Sequence, residues 1–266
     1  MSEAAGQRLE YGAGGVLGVL TPSGNPTVEP EMQRLFGTGI TMLTTRMHST
    51  DPSLLRRLML YAETLDQSLE SFGGIALDAA LFACTGTSYL LGAEREAALV
   101  AHWRDRGVRL LTAAQAIRAA AAEAGVHRAV LVNPYPPDLR EPALAYWQAA
   151  GLDLVDVIDV RNPEPGYHAI YTLRGDAISA ALADAMARPA DMVLMMGTGM
   201  PSLISLARAA QSSTSRNKLL LSSNLALAWA GCRVLDPEFP RPGPMLTSFA
   251  ARIRPEICPD FQQMAT

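Results

Sequence analysis

The chain has 266 residues, 49% of them hydrophobic and 18% charged, with a formal net charge of −4. That apolar share can fill a large core or two smaller α/β lobes, and the lack of any basic run excludes nucleic acid, whose phosphates need clustered Lys and Arg. No apolar run reaches the roughly 18 residues that span a bilayer, so no membrane partner is expected.

Met1 to Glu10 is polar and lacks the apolar core of a signal peptide. Gly15 to Leu20 then reads as a first strand, ending in a Thr21-Pro22-Ser23-Gly24-Asn25 loop that faces a ligand. Pro26 suits a first helical turn, and Glu29 and Glu31 complement the dipole of a helix running to about Phe36. Ile40 to Met47 predicts a second strand, with Arg46 at its end as a candidate carboxylate partner. Ser49 or Asp51 is the expected cap of the next helical stretch, with Pro52 in the first turn. Residues 53–72 carry the spacing of one long or two broken helices.

Ala79 to Cys84 predicts a third strand, apolar on both faces, that delivers a thiol into Thr85-Gly86-Thr87-Ser88. Open α/β sheets bind ligands at the carboxyl ends of their strands. The next helix, over about 88–106, aims its positive end at the same place, which lowers a cysteine pKa and attracts a carboxylate. Val108 to Leu111 is a short fourth strand, and Thr112 caps an alanine-rich helix that ends at Gly125.

The pattern then restarts. Arg128 to Val132 is strand, followed by Asn133-Pro134-Tyr135, and Asp138 caps a helix to Ala150. Leu152 to Val160 is strand, the loop from Arg161 to Tyr171 holds His168, and residues 172–187 are helical. Asp191 to Met196 is strand, and Gly197-Thr198-Gly199-Met200-Pro201-Ser202 turns into a helix with Pro201 near its first position. Lys218 to Leu221, Ser222-Ser223-Asn224 and a helix to Ala230 complete the set. A Pro-rich tail from Pro237 is expected to wrap the surface.

Pro22 and Pro134 end matching strands (134 − 22 = 112). Cys84 and Gly197 are likewise related (197 − 84 = 113), as are Asp78 and Asp191 (191 − 78 = 113). One offset at three landmarks predicts two copies of one α/β unit, about residues 1–120 and 121–240, with residues 241–266 as a tail. Their strand ends would line a shared cleft with Asn25, Cys84-Thr85-Gly86, Tyr135 and Gly197-Thr198-Gly199.

Three widely spaced cysteines, Cys84, Cys232 and Cys258, fall in no metal-ligand pattern. A reduced, cytoplasmic protein without disulfides or a metal is expected. Cys232 and Cys258 have no motif around them and read as packing residues.

Pro22-Ser23-Gly24-Asn25-Pro26-Thr27-Val28-Glu29, Thr45-Arg46-Met47, Ala83-Cys84, Asn133-Pro134-Tyr135 and Gly199-Met200-Pro201-Ser202-Leu203 together cover both halves. At these residues the sequence resembles the aspartate/glutamate racemase superfamily, and within it the maleate cis-trans isomerase and arylmalonate decarboxylase branch. The resemblance implies two pseudo-symmetric Rossmann-like or flavodoxin-like lobes with short parallel sheets and the site in the cleft between them. It also implies no metal or organic cofactor, and a small carboxylate held by backbone amides and hydroxyls. Two-base members of the family place a cysteine on each matching strand end. Here the first is Cys84 and the second position is Gly197. The decarboxylase pattern also has a single cysteine, in the other lobe.

As a thiolate, Cys84 could add to an electron-poor C=C and let the bond rotate before sulfur leaves. As a thiol it could protonate an enediolate from one face. Thr85, Tyr135, Thr198 and the amides around Gly86 and Gly199 are candidate donors to the carboxylate charge, and Asn25 could bind a second carboxylate. Isomerisation of a maleate-like dicarboxylate is the first expectation, and enantioselective decarboxylation of a malonate-type acid the second. A single-cysteine hydrolase using His168 and a non-catalytic carboxylate-binding protein are further alternatives, and assembly of like chains is left open. Replacing Gly197 by cysteine is expected to restore a thiol on the opposite face.

Overall fold

The computed structural model describes residues 9–160, 162, 169–211 and 218–252. The first half runs β1 (Val16–Pro22), α1 (Val28–Phe36), β2 (Thr41–Met47), α2 (Leu54–Glu63), α3 (Leu65–Glu70), β3 (Ala79–Phe82), α4 (Thr85–Arg104), β4 (Leu110–Thr112) and α5 (Ala113–Ala124). The second runs β5 (Arg128–Asn133), α6 (Pro137–Ala149), β6 (Asp153–Asp159), a short 3-10 turn (Ala169–Thr172), α7 (Gly175–Met186), β7 (Met192–Met195), α8 (Leu203–Ala210), β8 (Leu219–Ser222) and α9 (Ser223–Leu235). A last helix, α10, spans Pro242–Arg252.

These strands build two four-stranded parallel sheets, ordered β2-β1-β3-β4 and β6-β5-β7-β8. Each is covered by helices, because a parallel connection must cross over a sheet face. The strands of each sheet interior, such as Ala79-Ala80-Leu81-Phe82 and Met192-Val193-Leu194-Met195, are buried on both faces and continuously apolar. The edge strands β2 and β6 mix polar and apolar residues and are only half-buried.

The repeat is visible in the pairing itself. Val16 lies opposite Thr41, and 112 residues later (128 − 16 = 112) Arg128 lies opposite Asp153. The Leu17–Ala79 pair of the first sheet is matched by Ala129–Met192 in the second. The two halves nevertheless share apolar contacts: one cluster joins Leu17, Val19 and Leu81 to Val130, Leu131 and Leu194. α9 is the bridge, since it comes after the last strand of the second sheet yet packs against α1 and α5 of the first half.

Three local expectations are corrected. α2 is capped by Ser53, whose side chain accepts from the Arg56 amide, so Pro52 lies outside the helix; Asp51 instead receives the Ser53 amide. α4 begins at Thr85 rather than near Ser88, which makes Cys84 its N-cap, and the helix breaks at Gly92, where φ is 73°. The Pro-rich segment after Pro237 leads into α10, whose Met245, Leu246, Phe249 and Ala250 are buried beside α8 and α9. Proline is tolerated there because the first turn of a helix has no use for its missing N–H. Cys232 is buried in α9, where burial first and Asp236 second push its pKa up to about 12, as befits a packing residue. Cys258 lies outside the described residues. Among the described residues, no helix is long and apolar enough to cross a membrane.

Candidate active site

The carboxyl ends of strands from both sheets open onto one cavity of about 420 Å³. Asn25, Cys84, Thr85 and Gly86 reach it from the first half, and Tyr135, Gly197, Thr198 and Gly199 from the second. All eight residues singled out in the sequence are therefore brought together around a space that suits a small ligand.

Cys84 is only 4% exposed and sits where the strand becomes a helix. Burial pushes its pKa up; the Thr87 hydroxyl and the amides of Thr87 and Gly86 work in the opposite direction and do not win. The single Thr87 hydroxyl hydrogen is shared between the Leu58 carbonyl at 2.6 Å and Sγ at 3.3 Å, so the sulfur receives the weaker part. Cys84 is thus a neutral thiol near pH 7, with donors already aimed at the thiolate it becomes on losing its proton.

Across the cavity, the hydroxyls of Tyr135 and Thr85 are 2.8 Å apart. Burial keeps Tyr135 well above the ordinary tyrosine range, so it remains a phenol able to donate. Asn133 holds its loop, accepting from the Tyr135 amide and donating to Asp159 at 2.8 Å. Thr198 donates its hydroxyl hydrogen to the Ala83 carbonyl at 2.9 Å, next to Cys84, and accepts from Asn25 Nδ2 at 3.4 Å. Asn25 Oδ1 in turn accepts from the amides of Thr27 and Val28. The Asn25 and Thr198 side chains therefore tie the two strand ends together.

Gly197 has φ +89°, a conformation that side chains with a Cβ rarely adopt, and a Cβ there would lie 2.8 Å from Ile170 Cδ1 and 3.1 Å from the Tyr135 hydroxyl. A cysteine there, expected from the sequence to restore a thiol on the opposite face, would have to take up this backbone conformation and press on Pro134 Cγ at 3.2 Å, while the Ile170 methyl and the Tyr135 hydroxyl can give way.

Arg46, expected as a carboxylate partner, does not line the cavity. It pairs with Glu29 and donates to the carbonyls of Ser23 and Asn25, bracing the Asn25 loop from outside. Among the described residues, two other arginines line the cavity: Arg57, 3% exposed, whose Nη1 donates to the carbonyls of Asp51 and Pro52, and Arg140, whose Nε donates to Asp159 at 3.0 Å. Leu54 and Tyr61, three residues before and four after Arg57 on the same helix, line the cavity too, so helical spacing was the signal that could have placed Arg57 there. Tyr171 and Ile170 were missed because they arrive from the 3-10 turn after the loop that holds His168. His168 itself lies outside the described residues.

Behind the site, α1 grips the loop after β7. Thr27 Oγ1 donates to the Gly199 carbonyl at 2.9 Å, and one turn later the Glu31 carboxylate accepts from the Leu203 amide at 2.8 Å and Asn224 Nδ2 at 2.7 Å. Burial raises the Glu31 pKa from 4.5 to about 7, against the lowering effect of those donors and of Arg34. The folded state therefore holds this proton more tightly than the unfolded chain, so the contribution of Glu31 to stability is largest in acid. It is lost as pH rises from 4.5 through about 7, by at most about 3 kcal/mol. Thermal unfolding should show this fall, and Glu31→Gln should flatten it.

Among the described residues, no group of three or more His, Cys, Asp or Glu could hold a metal ion. No protein-family profile matches the sequence, and no curated protein matches it. Solved structures do resemble it. The maleate isomerase Iso from Pseudomonas putida S16 superposes with a TM-score of 0.74 at 20% identity, over 88% of this chain and 98% of that one. A cysteine-to-serine mutant of the Nocardia farcinica maleate cis-trans isomerase, with a covalently bound succinylcysteine intermediate, gives 0.72 at 23% over 88% and 98%. A liganded arylmalonate decarboxylase carrying one Gly-to-Cys and one Cys-to-Ser change gives 0.70 at 16% over 88% and 99%. The chain thus shares the two-lobed α/β fold of the maleate cis-trans isomerases and arylmalonate decarboxylases.

Proposed function

We propose that the protein is a cofactor-independent enzyme that isomerises the cis double bond of a maleate-like dicarboxylate from a single thiol, Cys84. The observation that carries this is the placement of Cys84, at a strand end and a helix N-cap, on the wall of a cavity completed by Gly197-Thr198-Gly199. As sulfur bonds to one alkene carbon, the thiol proton passes to a substrate carboxylate and the π pair moves into the adjacent enediolate. The former double bond then turns as a single bond. The pair returns, the C–S bond breaks and the proton goes back to sulfur, so nothing is consumed. The succinylcysteine in the Nocardia farcinica mutant supports such an adduct in a protein from which one cysteine has been removed. The chemistry needs a reduced thiol, as the cytoplasm provides.

A second reading is favoured by the burial of Cys84, which pushes its thiol up and disfavours the thiolate, and by the glycine at position 197 of the same cavity. In that reading a malonate-type acid loses CO₂, the electron pair of the broken C–C bond enters an enediolate, and Cys84 delivers its proton to carbon from one face. The Gly86 and Thr87 amides then hold the thiolate until solvent returns a proton. Leu58, Leu139, Val160 and Ile170 give the cavity an apolar wall that suits a substituent on such an acid.

Proton NMR of maleate and phenylmalonate incubated separately with the protein in D2O distinguishes these readings. Fumarate from maleate supports the first, and singly deuterated phenylacetate from phenylmalonate the second. If neither acid changes under reducing conditions, both are wrong for these substrates and a binding role takes their place.

A further inference from the structure

We infer that Glu31, outside the cavity, is a positioning residue that sets the wall opposite Cys84; this rests on the reading of that cavity as a carboxylate site. α8 begins directly after the Gly197–Pro201 loop, and its cap residue Ser202 makes no capping hydrogen bond; its buried hydroxyl has no partner. The buried start of α8 is capped instead by a residue of the first half, through the Leu203 amide and Glu31 Oε1. The other carboxylate oxygen holds Asn224 Nδ2, which also donates to the Thr198 carbonyl at 3.0 Å. Thr198 then reaches Ala83, the neighbour of Cys84. A continuous chain of hydrogen bonds runs from α1 to the residue beside the thiol.

The same geometry says what protonation does. A protonated Glu31 keeps one oxygen as an acceptor, but the O–H on the other needs an acceptor that neither the Leu203 amide nor Asn224 Nδ2 supplies. Asn224 Oδ1 could accept it, being buried without a partner, but turning the amide takes Nδ2 away from the Thr198 carbonyl. The change at Glu31 is therefore passed to the loop that faces Cys84. Arg34 on the same helix favours the charged form. On α8 and α9, the helices that supply its two hydrogen-bond partners, Arg208 and Arg233 lie five and nine residues beyond Leu203 and Asn224 (208 − 203 = 5; 233 − 224 = 9). At about 1.5 Å per residue they are roughly 7 and 13 Å further along.

The test is iodoacetamide labelling of Cys84, read by peptide mass spectrometry between about pH 5.5 and pH 9, with and without maleate or phenylmalonate. Wild type should show an inflection near pH 7 beneath the thiol's own rise, and Glu31→Gln should lack it. Above that pH the acid concentration giving half-protection should rise about tenfold in Glu31→Gln, as expected for about one lost hydrogen bond to a charged group. Asn224→Ala keeps the carboxylate but cuts its link to Thr198. It should reproduce both changes, and the double variant should be no worse than either single one. If Asn224→Ala labels and is protected like wild type, the proposal fails, whether or not Glu31→Gln folds. If neither acid protects wild type, the carboxylate reading fails, while the labelling profile still decides the role of Glu31.

Discussion

Cys84→Ala is expected to lower kcat by about 10²- to 10⁴-fold while leaving the fold intact. Among the described residues of the cavity, Cys84 is the one thiol, a group that can either donate a proton to carbon or bond to it. The neighbouring hydroxyls of Thr85 and Tyr135 are bonded to each other, and burial holds Tyr135 as a weak acid. Removing one buried sulfur leaves a small void worth about 1 kcal/mol, or a few degrees in the thermal midpoint, so lost turnover cannot be assigned to unfolding. Comparing turnover with the melting curve of the same sample checks this. Retention of wild-type turnover would end any account centred on this cysteine. Cys84→Ser should be almost as poor, since a hydroxyl is a far weaker acid than a thiol.

Gly197→Cys carries the second large effect, and its direction is the reverse of what the missing thiol suggests. The new Cβ would meet Ile170 Cδ1 at 2.8 Å and Pro134 Cγ at 3.2 Å, on a backbone held at φ +89°. The isoleucine methyl can swing aside, but the proline ring and the backbone cannot. A loss of about 2–4 kcal/mol is expected, with turnover reduced rather than raised. Gly197→Ala should destabilise by a similar amount, which separates the strain from any property of sulfur. Coupling Gly197→Cys to Ile170→Ala should relieve the isoleucine contact and leave the Pro134 contact and the backbone cost. If the single Gly197→Cys variant melts like wild type and works faster, the site has room for a second thiol and the single-thiol mechanism is wrong.

Much of this architecture was legible in one sequence because its signals are local. Continuous apolar runs such as Leu81–Phe82 and Val193–Leu194 mark strands covered on both faces, and the offset of 112–113 residues is reproduced in the register of both sheets. Thr112 and Gly125 bound α5 as their capping preferences predict. The eight cavity residues could be named because strand ends and the turns after them are where a parallel sheet presents its loops.

The features that only the tertiary structure decided depend on groups distant along the chain. Whether Arg46 or Arg57 faces the cavity turns on which way each element rotates, and Glu29 claims the first. Glu31 reads from the sequence as one more acidic residue in a first helical turn. Its role appears only when residues 172 and 193 positions away, Leu203 and Asn224, close around its carboxylate. The protonation state of Cys84 is of the same kind. A helix N-terminus favours the thiolate and could be inferred locally, but burial opposes it, and burial is a property of everything packed around the sulfur.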